Sequence, residues 1–187
     1  MTEAHTDRKQ VLFIQGAGDG AYEEDEKLAA SLREALGQAY VVHYPRMPEN
    51  ASTDAAWMEQ LREEFAALKD DVILVGHSVG GSALLKYLAE NTVPVQIRGI
   101  FLLATPFWGK GGWDYEGFSI PNDFPDRLPK GVPIFLYHNR DDEVVEFAHL
   151  ALYRAELPNA TTREGASGGH QFGNDLTQVA QDIRSLQ

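Results

Sequence analysis

One serine lies in a pattern of residues that is typical of a nucleophile. Ser78 is at the centre of the run Gly76–Gly80, which reads GHSVG. A serine hydroxyl is a weak nucleophile, so it needs a base to take its proton and N–H donors for the oxyanion that forms. A sharp turn would present the hydroxyl, and it requires small residues two positions before and after the serine. Gly76 and Gly80 meet that requirement.

The elements on either side of Ser78 support this interpretation. The apolar run Val72–Val75 predicts a buried strand, and Ser82–Glu90 predicts a helix. A strand–turn–helix unit places Ser78 at a helix N-terminus, where the N–H of Val79 can point at an anion. The alternative is that Ser78 only caps the helix.

Strands and helices alternate along the rest of the chain. Because the strands are apolar throughout, this alternation predicts a three-layer α/β fold with a mostly parallel sheet between helices. The predicted strands are Val11–Ile14, Tyr40–Tyr44, Val72–Val75, Ile97–Ala104 and Val132–Tyr137, with a short edge strand at Ala160–Arg163.

Several residues predict where the helices begin and end. The acidic run Glu23–Glu26 suits the positive end of a helix dipole, and Gly37 ends that helix. Ser52, Thr53 and Asp54 offer an N-cap to the next helix. A later helix is predicted over Val145–Glu156.

The composition narrows the class of protein. The chain has 187 residues, 43% of them hydrophobic, and no cysteine. Its formal net charge of −12 disfavours nucleic acid and anionic membranes as partners. No apolar run approaches the length of a membrane span, and the polar N-terminus lacks the apolar stretch of a signal peptide. We therefore expect one cytoplasmic domain over residues 1–187, with no membrane partner.

From Val11 to the last helix, the chain resembles the α/β-hydrolase family, whose nucleophile elbow looks like Gly76–Gly80. The resemblance implies a minimal α/β-hydrolase fold with about six strands in the order 2-1-3-4-5-6. In size and in its short elbow, the chain is similar to small single-domain serine hydrolases of the retinoblastoma-binding type.

The resemblance also implies an acid and a base in the chain order Ser, Asp, His. After the fifth strand, Asn139-x-x-Asp142-x-x-Val145 fits the spacing around the family's acid. Asp141 fits only the second half of that spacing and remains the alternative. The base matches His170, which lies in a glycine-rich loop before the last helix.

The second oxyanion donor of the family lies in the loop after the first parallel strand. Here that loop is Gly16–Gly20, so the N–H of Ala17 is the candidate beside that of Val79. Gln15 replaces the family's usual histidine, but a backbone donor is unaffected by this change. The alternative, a phosphate-binding turn, lacks the lysine of a P-loop and matches G-x-G-x-x-G poorly.

The segment Thr105–Lys130 has no clean periodicity and is rich in aromatic residues. A loop of this length in a compact domain is usually functional or disordered, and the aromatic residues argue against disorder. We predict a small lid that binds substrate; the alternatives are a structural plug and a dimer contact. The proposed substrate-binding residues are Trp108, Trp113, Tyr115 and Phe118.

Together these residues predict a serine hydrolase of the carboxylesterase type (EC 3.1.1), acting on a small acyl substrate through an acyl-enzyme on Ser78. Acyl transfer or C–C hydrolysis with the same residues is an alternative, as is a binding protein on a hydrolase scaffold. The reaction needs no cofactor. No metal site is predicted, because the histidines, including His43, His77, His138 and His149, lack metal-ligand spacing.

Overall fold

The computed structural model describes residues 8–49, 54–69 and 71–186. Six strands form one sheet: Lys9–Ile14 (β1), Tyr40–His43 (β2), Val72–His77 (β3), Ile97–Leu103 (β4), Ile134–Asn139 (β5) and Thr161–Gly165 (β6). All neighbouring strands are parallel, in the order β2-β1-β3-β4-β5-β6. The predicted fold class and strand order are therefore confirmed.

Helices connect the strands and cover the sheet. They are Ala21–Leu36 (α1), Ala55–Ala67 (α2), Val79–Glu90 (α3), Phe124–Arg127 (α4), Ala148–Glu156 (α5) and Thr177–Arg184 (α6). No helix in the described ranges is long and apolar enough to cross a membrane.

Two apolar clusters fill the space between the sheet and the helices. Successive side chains of a strand point to opposite faces, so Leu12 and Ile14 join one cluster while Val11 and Phe13 join the other. The first cluster includes apolar residues of α2, α3 and α5, and the second includes those of α1 and α6. Burial on both faces explains why the strands read as continuous apolar runs.

The carboxyl end of the sheet departs in detail from the predicted boundaries. β4 ends at Leu103, because Ala104 has a positive φ of 47°, although its N–H still donates to the carbonyl of Tyr137 in β5. β5 begins two residues later than predicted, after Pro133, and continues to Asn139, where it pairs with β6. The extension brings His138 and Asn139 into the sheet.

The prediction that a helix begins at Val145 is wrong, because α5 begins at Ala148. The N–H groups of Val144 and Val145 donate to Oδ1 of Asp142, and the carbonyl of Val145 lies 2.8 Å from Nε2 of His138. These side-chain contacts hold the chain in a turn before the helix.

The predictions for the ends of the other helices were confirmed at Gly37 but not at Asp54. Gly37 ends α1 with a φ of 72°, as predicted, and its N–H donates to the carbonyl of Arg33. Asp54 makes no side-chain capping bond to α2; instead its carboxylate lies 3.3 Å from the amine of Lys86. Ser52, Thr53 and the first seven residues, on which the capping and signal-peptide predictions partly depend, lie outside the described residues.

Candidate active site

The turn between β3 and α3 has the strained geometry of an elbow. Ser78 has φ 52° and ψ −128°, a conformation that a residue with a side chain rarely adopts. The flanking glycines allow it. A Cβ on Gly76 would lie 2.5 Å from the Cα of Gly81, and one on Gly80 would overlap the carbonyl oxygens of Ile14 and Gln15. The predicted need for small residues at both positions is therefore confirmed.

Ser78 is less open to solvent than the sequence suggested, with 6% of its surface exposed. The loop after β1 packs closely over it: a Cβ built on Gly16 would lie 3.3 Å from Cβ of Ser78. The candidate oxyanion donors flank this point. Among the described residues, the N–H groups of Ala17 and Val79 have no hydrogen-bond acceptor, so both are free to bind an incoming oxygen.

Asp142 and His170 are in direct contact. Nδ1 of His170 lies 2.9 Å from Oδ2 of Asp142 and 3.1 Å from Oδ1. A carboxylate only accepts hydrogen bonds, so Nδ1 carries a proton in this contact, and in a neutral ring the basic nitrogen is then Nε2. Within the described residues, Nε2 of His170 and the hydroxyl of Ser78 make no hydrogen bond.

The surroundings of Asp142 keep it ionised. Burial would raise the pKa of its carboxyl, but hydrogen bonds from His138, His170 and the N–H groups of Val144 and Val145 hold that pKa below the usual 3.8. The second histidine, His138, is buried, with Nε2 3.3 Å from Oδ2 of Asp142. Its contact with Asp142 was not predicted from the sequence, where His138 was considered only as a possible metal ligand.

Residues 139–143 hold the loop that carries His170 through hydrogen bonds. The N–H groups of Gly168 and Gly169 donate to the carboxylate of Asp141, and the N–H of His170 donates to Glu143. The amide of Asn139 donates to the carbonyl of Gly169. Asp141 therefore contacts the backbone of this loop, and only Asp142 contacts the imidazole.

A second buried acid–histidine pair lies beneath the elbow. Nδ1 of His77 is 2.8 Å from Oδ2 of Asp25, and its Nε2 is 2.9 Å from the carbonyl of His170. The imidazole rings of His77 and His170 lie with centroids 4.7 Å apart. From the sequence, Asp25 was expected only to complement a helix dipole, and His77 was considered only as a histidine without metal-ligand spacing. The sequence held no signal for their pairing, because 52 residues separate them.

The four aromatic residues proposed to bind substrate pack against one another. The ring centroid of Trp108 lies 4.4 Å from that of Phe118, 5.8 Å from that of Trp113 and 5.9 Å from that of Tyr115. Tyr115 is 59% exposed. No hydrogen bond or ring contact joins any of these four to Ser78, Asp142 or His170 within the described parts of the chain.

The aromatic segment is anchored along one face of α3. Nε1 of Trp108 donates to Oγ of Ser82, and the amine of Lys86 donates to the carbonyl of Ser119. Residues four apart share a helix face, and Lys86 lies four residues after Ser82 in α3. The segment therefore follows the face of α3 that carries Ser82 and Lys86, in the helix that begins directly after Ser78.

The base of the aromatic segment is fixed to α5. The N–H of Phe107 donates to Nδ1 of His149, and the hydroxyl of Tyr153 donates to the carbonyl of Pro106. Burial lowers the pKa of His149, which agrees with a neutral ring accepting that bond. A cavity of about 410 Å³ lies between the segment and α5, lined by Trp108, Phe124 and Tyr153 among others.

No group of three or more histidine and carboxylate side chains in the described ranges is arranged to hold a metal ion.

Solved structures share this fold across almost the whole chain. Est1E from Butyrivibrio proteoclasticus has a TM-score of 0.71 at 14% identity, covering 98% of this chain and 89% of its own. The carboxylesterase CesB from Bacillus subtilis has a TM-score of 0.65 at 16% identity, covering 96% and 84%. The methylesterase MES16 from Arabidopsis has a TM-score of 0.65 at 16% identity, covering 95% and 98%.

Sequence comparison gives the family. No match was found among curated proteins. The profile of one family, described as serine hydrolase, matches residues 23–176. This range includes the elbow, the pair of Asp142 and His170, and the aromatic segment. With this match and an α/β-hydrolase fold, the chain belongs to the serine hydrolase family.

Proposed function

We propose that this serine hydrolase is a carboxylesterase that acts through an acyl-enzyme on Ser78. Oγ of Ser78 attacks the ester carbonyl while Nε2 of His170 takes its proton. Asp142 holds the imidazole in the required tautomer and stabilises the imidazolium that forms. The N–H groups of Ala17 and Val79 bind the oxyanion.

The rest of the cycle uses the same groups. His170 returns its proton to the alkoxide as the C–O bond breaks, which leaves the acyl group on Ser78. A water then attacks the acyl carbon, with His170 again acting as the base. The missing hydrogen bond between Ser78 and His170 is compatible with this cycle, because such contacts are often loose in the absence of substrate.

The observation that carries the proposal is the contact between Oδ2 of Asp142 and Nδ1 of His170, which are 2.9 Å apart. The loop of His170 also contacts the strained elbow of Ser78, because the carbonyl of His170 faces Nε2 of His77. The names of the structural neighbours CesB, a carboxylesterase, and MES16, a methylesterase, agree with ester cleavage. We further propose that Trp108, Trp113, Tyr115 and Phe118 form a lid that binds the acyl chain. The support is the anchoring of their segment to Ser82 and Lys86 of α3, the helix that begins directly after Ser78.

The test combines turnover with labelling. Wild type should hydrolyse p-nitrophenyl esters and react with a fluorophosphonate probe, whereas Ser78→Ala should lose both while keeping its melting temperature. Ser185→Ala, which changes an exposed serine near the C-terminus, is the matched control and should keep both. Equal rates in wild type and Ser78→Ala would remove Ser78 as the nucleophile. Ester products formed when alcohols are added would indicate acyl transfer instead.

A further inference from the structure

A single buried carboxylate contacts three of the loops that the proposed reaction uses: the oxyanion loop, the elbow and the loop that carries His170. Oδ2 of Asp25 accepts the N–H of Gly16 at 2.8 Å and faces Nδ1 of His77 at 2.8 Å. Its Oδ1 accepts the side-chain amide of Gln171 at 3.0 Å. Gly16 precedes the candidate oxyanion donor, His77 precedes the nucleophile, and Gln171 follows the base. The carboxylate is therefore bonded next to each group.

The two ring nitrogens of His77 both face acceptors. Nδ1 points at the carboxylate of Asp25, and Nε2 points at the carbonyl of His170. A backbone carbonyl and a carboxylate have no proton to donate, so both contacts are hydrogen bonds only if both nitrogens carry protons. Beside an ionised Asp25, a neutral ring would leave one bare nitrogen against an oxygen lone pair in a buried site, because Asp25 and His77 are each only 1% exposed.

We propose that Asp25 and a doubly protonated His77 form a buried ion pair that positions the oxyanion loop and the His170 loop against Ser78. Asp25 and His77 are positioning residues, because neither touches the reacting atoms. The proposal rests on the proposed function of Ser78, Asp142 and His170.

The electrostatics of the pair agree with this arrangement. Burial would raise the pKa of the Asp25 carboxyl, but the bonds from His77, Gly16 and Gln171 outweigh it and lower that pKa. A buried ion pair that keeps all its hydrogen bonds specifies one geometry, whereas removing one charge leaves the other unpaired. The pair is thus suited to fixing the position of loops that are distant in the chain.

The first experiment reads the protonation of His77 directly. In protein labelled with 15N-histidine, NMR should show both ring nitrogens of His77 protonated at neutral pH, with the signals assigned by their loss in His77→Gln. A ring with one unprotonated nitrogen would overturn the proposal. This measurement needs no substrate, so it decides the pair even if the esterase proposal fails.

The second experiment removes the charge and keeps the shape. Asp25→Asn can retain the acceptor for Gly16. Its new amide group can donate to Oε1 of Gln171 if the side-chain amide of Gln171 rotates by half a turn. That oxygen is buried and has no hydrogen-bond partner among the described residues. Misplacing reacting groups by about 1 Å can cost about 100-fold. We therefore expect kcat to fall about 10- to 100-fold with KM within about twofold, and the ring signals of His170 to shift.

The matched control is Glu24→Gln, because Glu24 is the exposed neighbour of Asp25 on α1 and, within the described ranges, forms an ion pair only with Lys27. It should keep the wild-type kcat. Asp25→Asn with wild-type kcat and unmoved His170 signals would show that the pair has a packing role alone. If Asp25→Asn does not fold, Gln171→Met replaces it. Gln171→Met should lower kcat several-fold, and an unchanged kcat would likewise contradict the proposal.

The fluorophosphonate probe separates the two proposals. Wild type that is not labelled at Ser78 would overturn the proposed function, and the NMR result would still decide the charge of His77. Wild type that is labelled, with Asp25→Asn labelled at the same rate, would leave the proposed function in place and overturn the positioning role.

Discussion

Asp141 and Asp142 are neighbours in the chain, yet they hold different parts of the loop that carries His170. The carboxylate of Asp142 contacts the imidazole at Nδ1, whereas that of Asp141 accepts the N–H groups of Gly168 and Gly169. One residue is suited to acting on the base, and the other to holding the backbone. The two substitutions should therefore differ in their effect on the reaction.

Asp142→Asn should lower kcat by about 10³- to 10⁴-fold, because an amide favours the wrong tautomer of His170 and cannot stabilise its charged form. Asp141→Asn should cost less than about tenfold, because its amide oxygen can still accept an N–H from the loop. Steady-state kinetics on a p-nitrophenyl ester would measure both. The reverse ranking would transfer the acid's role to Asp141.

Acid should destabilise the protein partly through Asp142. The pKa of its carboxyl is lower in the folded protein than the unfolded value of 3.8, so the folded state binds fewer protons. The stabilisation is complete well above pH 3.8 and is lost as the pH falls through that value towards the lower folded pKa. Asp142→Asn should therefore flatten the dependence of unfolding free energy on pH.

Urea unfolding between pH 7 and pH 3 would measure this effect, with Asp126→Asn, an exposed change on α4, as the control. Asp25 and Asp182 also have lowered pKa values, so a slope remains in Asp142→Asn. An identical slope in wild type and Asp142→Asn would contradict the assignment.

The chemistry near Ser78 could be predicted from the sequence because local rules determine it. A buried strand, a pair of glycines and a helix form the elbow within a few residues. Parallel strands then bring the loops that follow β3 and β5 to one edge of the sheet. The predicted ends of helices were wrong where a side chain bonds to the backbone. At Asp142, the carboxylate accepts the N–H groups of Val144 and Val145, so α5 begins later than predicted.

The pair of Asp25 and His77 could not be predicted in this way. Asp25 lies in an acidic run that already fits a helix N-terminus, and His77 lies between Gly76 and Ser78, where the elbow pattern requires no particular residue type. Their contact depends on how α1 packs beside β3, and neither periodicity nor local spacing carries that information. The contact between His138 and Asp142 could not be predicted for a similar reason. The ring of His138 lies near Asp142 because β5 extends beyond its apolar run to Asn139.

The elbow should not tolerate a methyl group at Gly80. A Cβ there would overlap the carbonyls of Ile14 and Gln15 in β1 and the loop after it, so Gly80→Ala should destabilise the fold by about 3 kcal/mol or more. Gly131→Ala is the control. Its φ is 74°, but no atom lies within 4 Å of the added Cβ, so only the backbone term of about 1–2 kcal/mol is expected. Thermal or urea unfolding compares them, and equal losses would show that the turn can relax.

The aromatic segment allows a test that separates a lid from a plug. Trp113 packs its ring against Trp108, Tyr115 and His149, but its indole N–H makes no hydrogen bond among the described residues. Trp113→Ala therefore removes contact surface without leaving a polar group unpaired. A lid predicts that Trp113→Ala and Phe118→Ala change the ratio of kcat/KM between short and long acyl esters, with a small loss of melting temperature.

Trp108 should behave differently within the same cluster. Its indole donates to Ser82 and its ring contacts the other three, so Trp108→Ala should lower stability as well as alter acyl preference. Trp108→Phe keeps a ring but loses the bond to Ser82, and it separates the two effects. If all these variants lose stability while the ratio of ester rates stays at the wild-type value, the segment is a plug. If they shift the protein to a smaller species in sedimentation, it is an interface between copies.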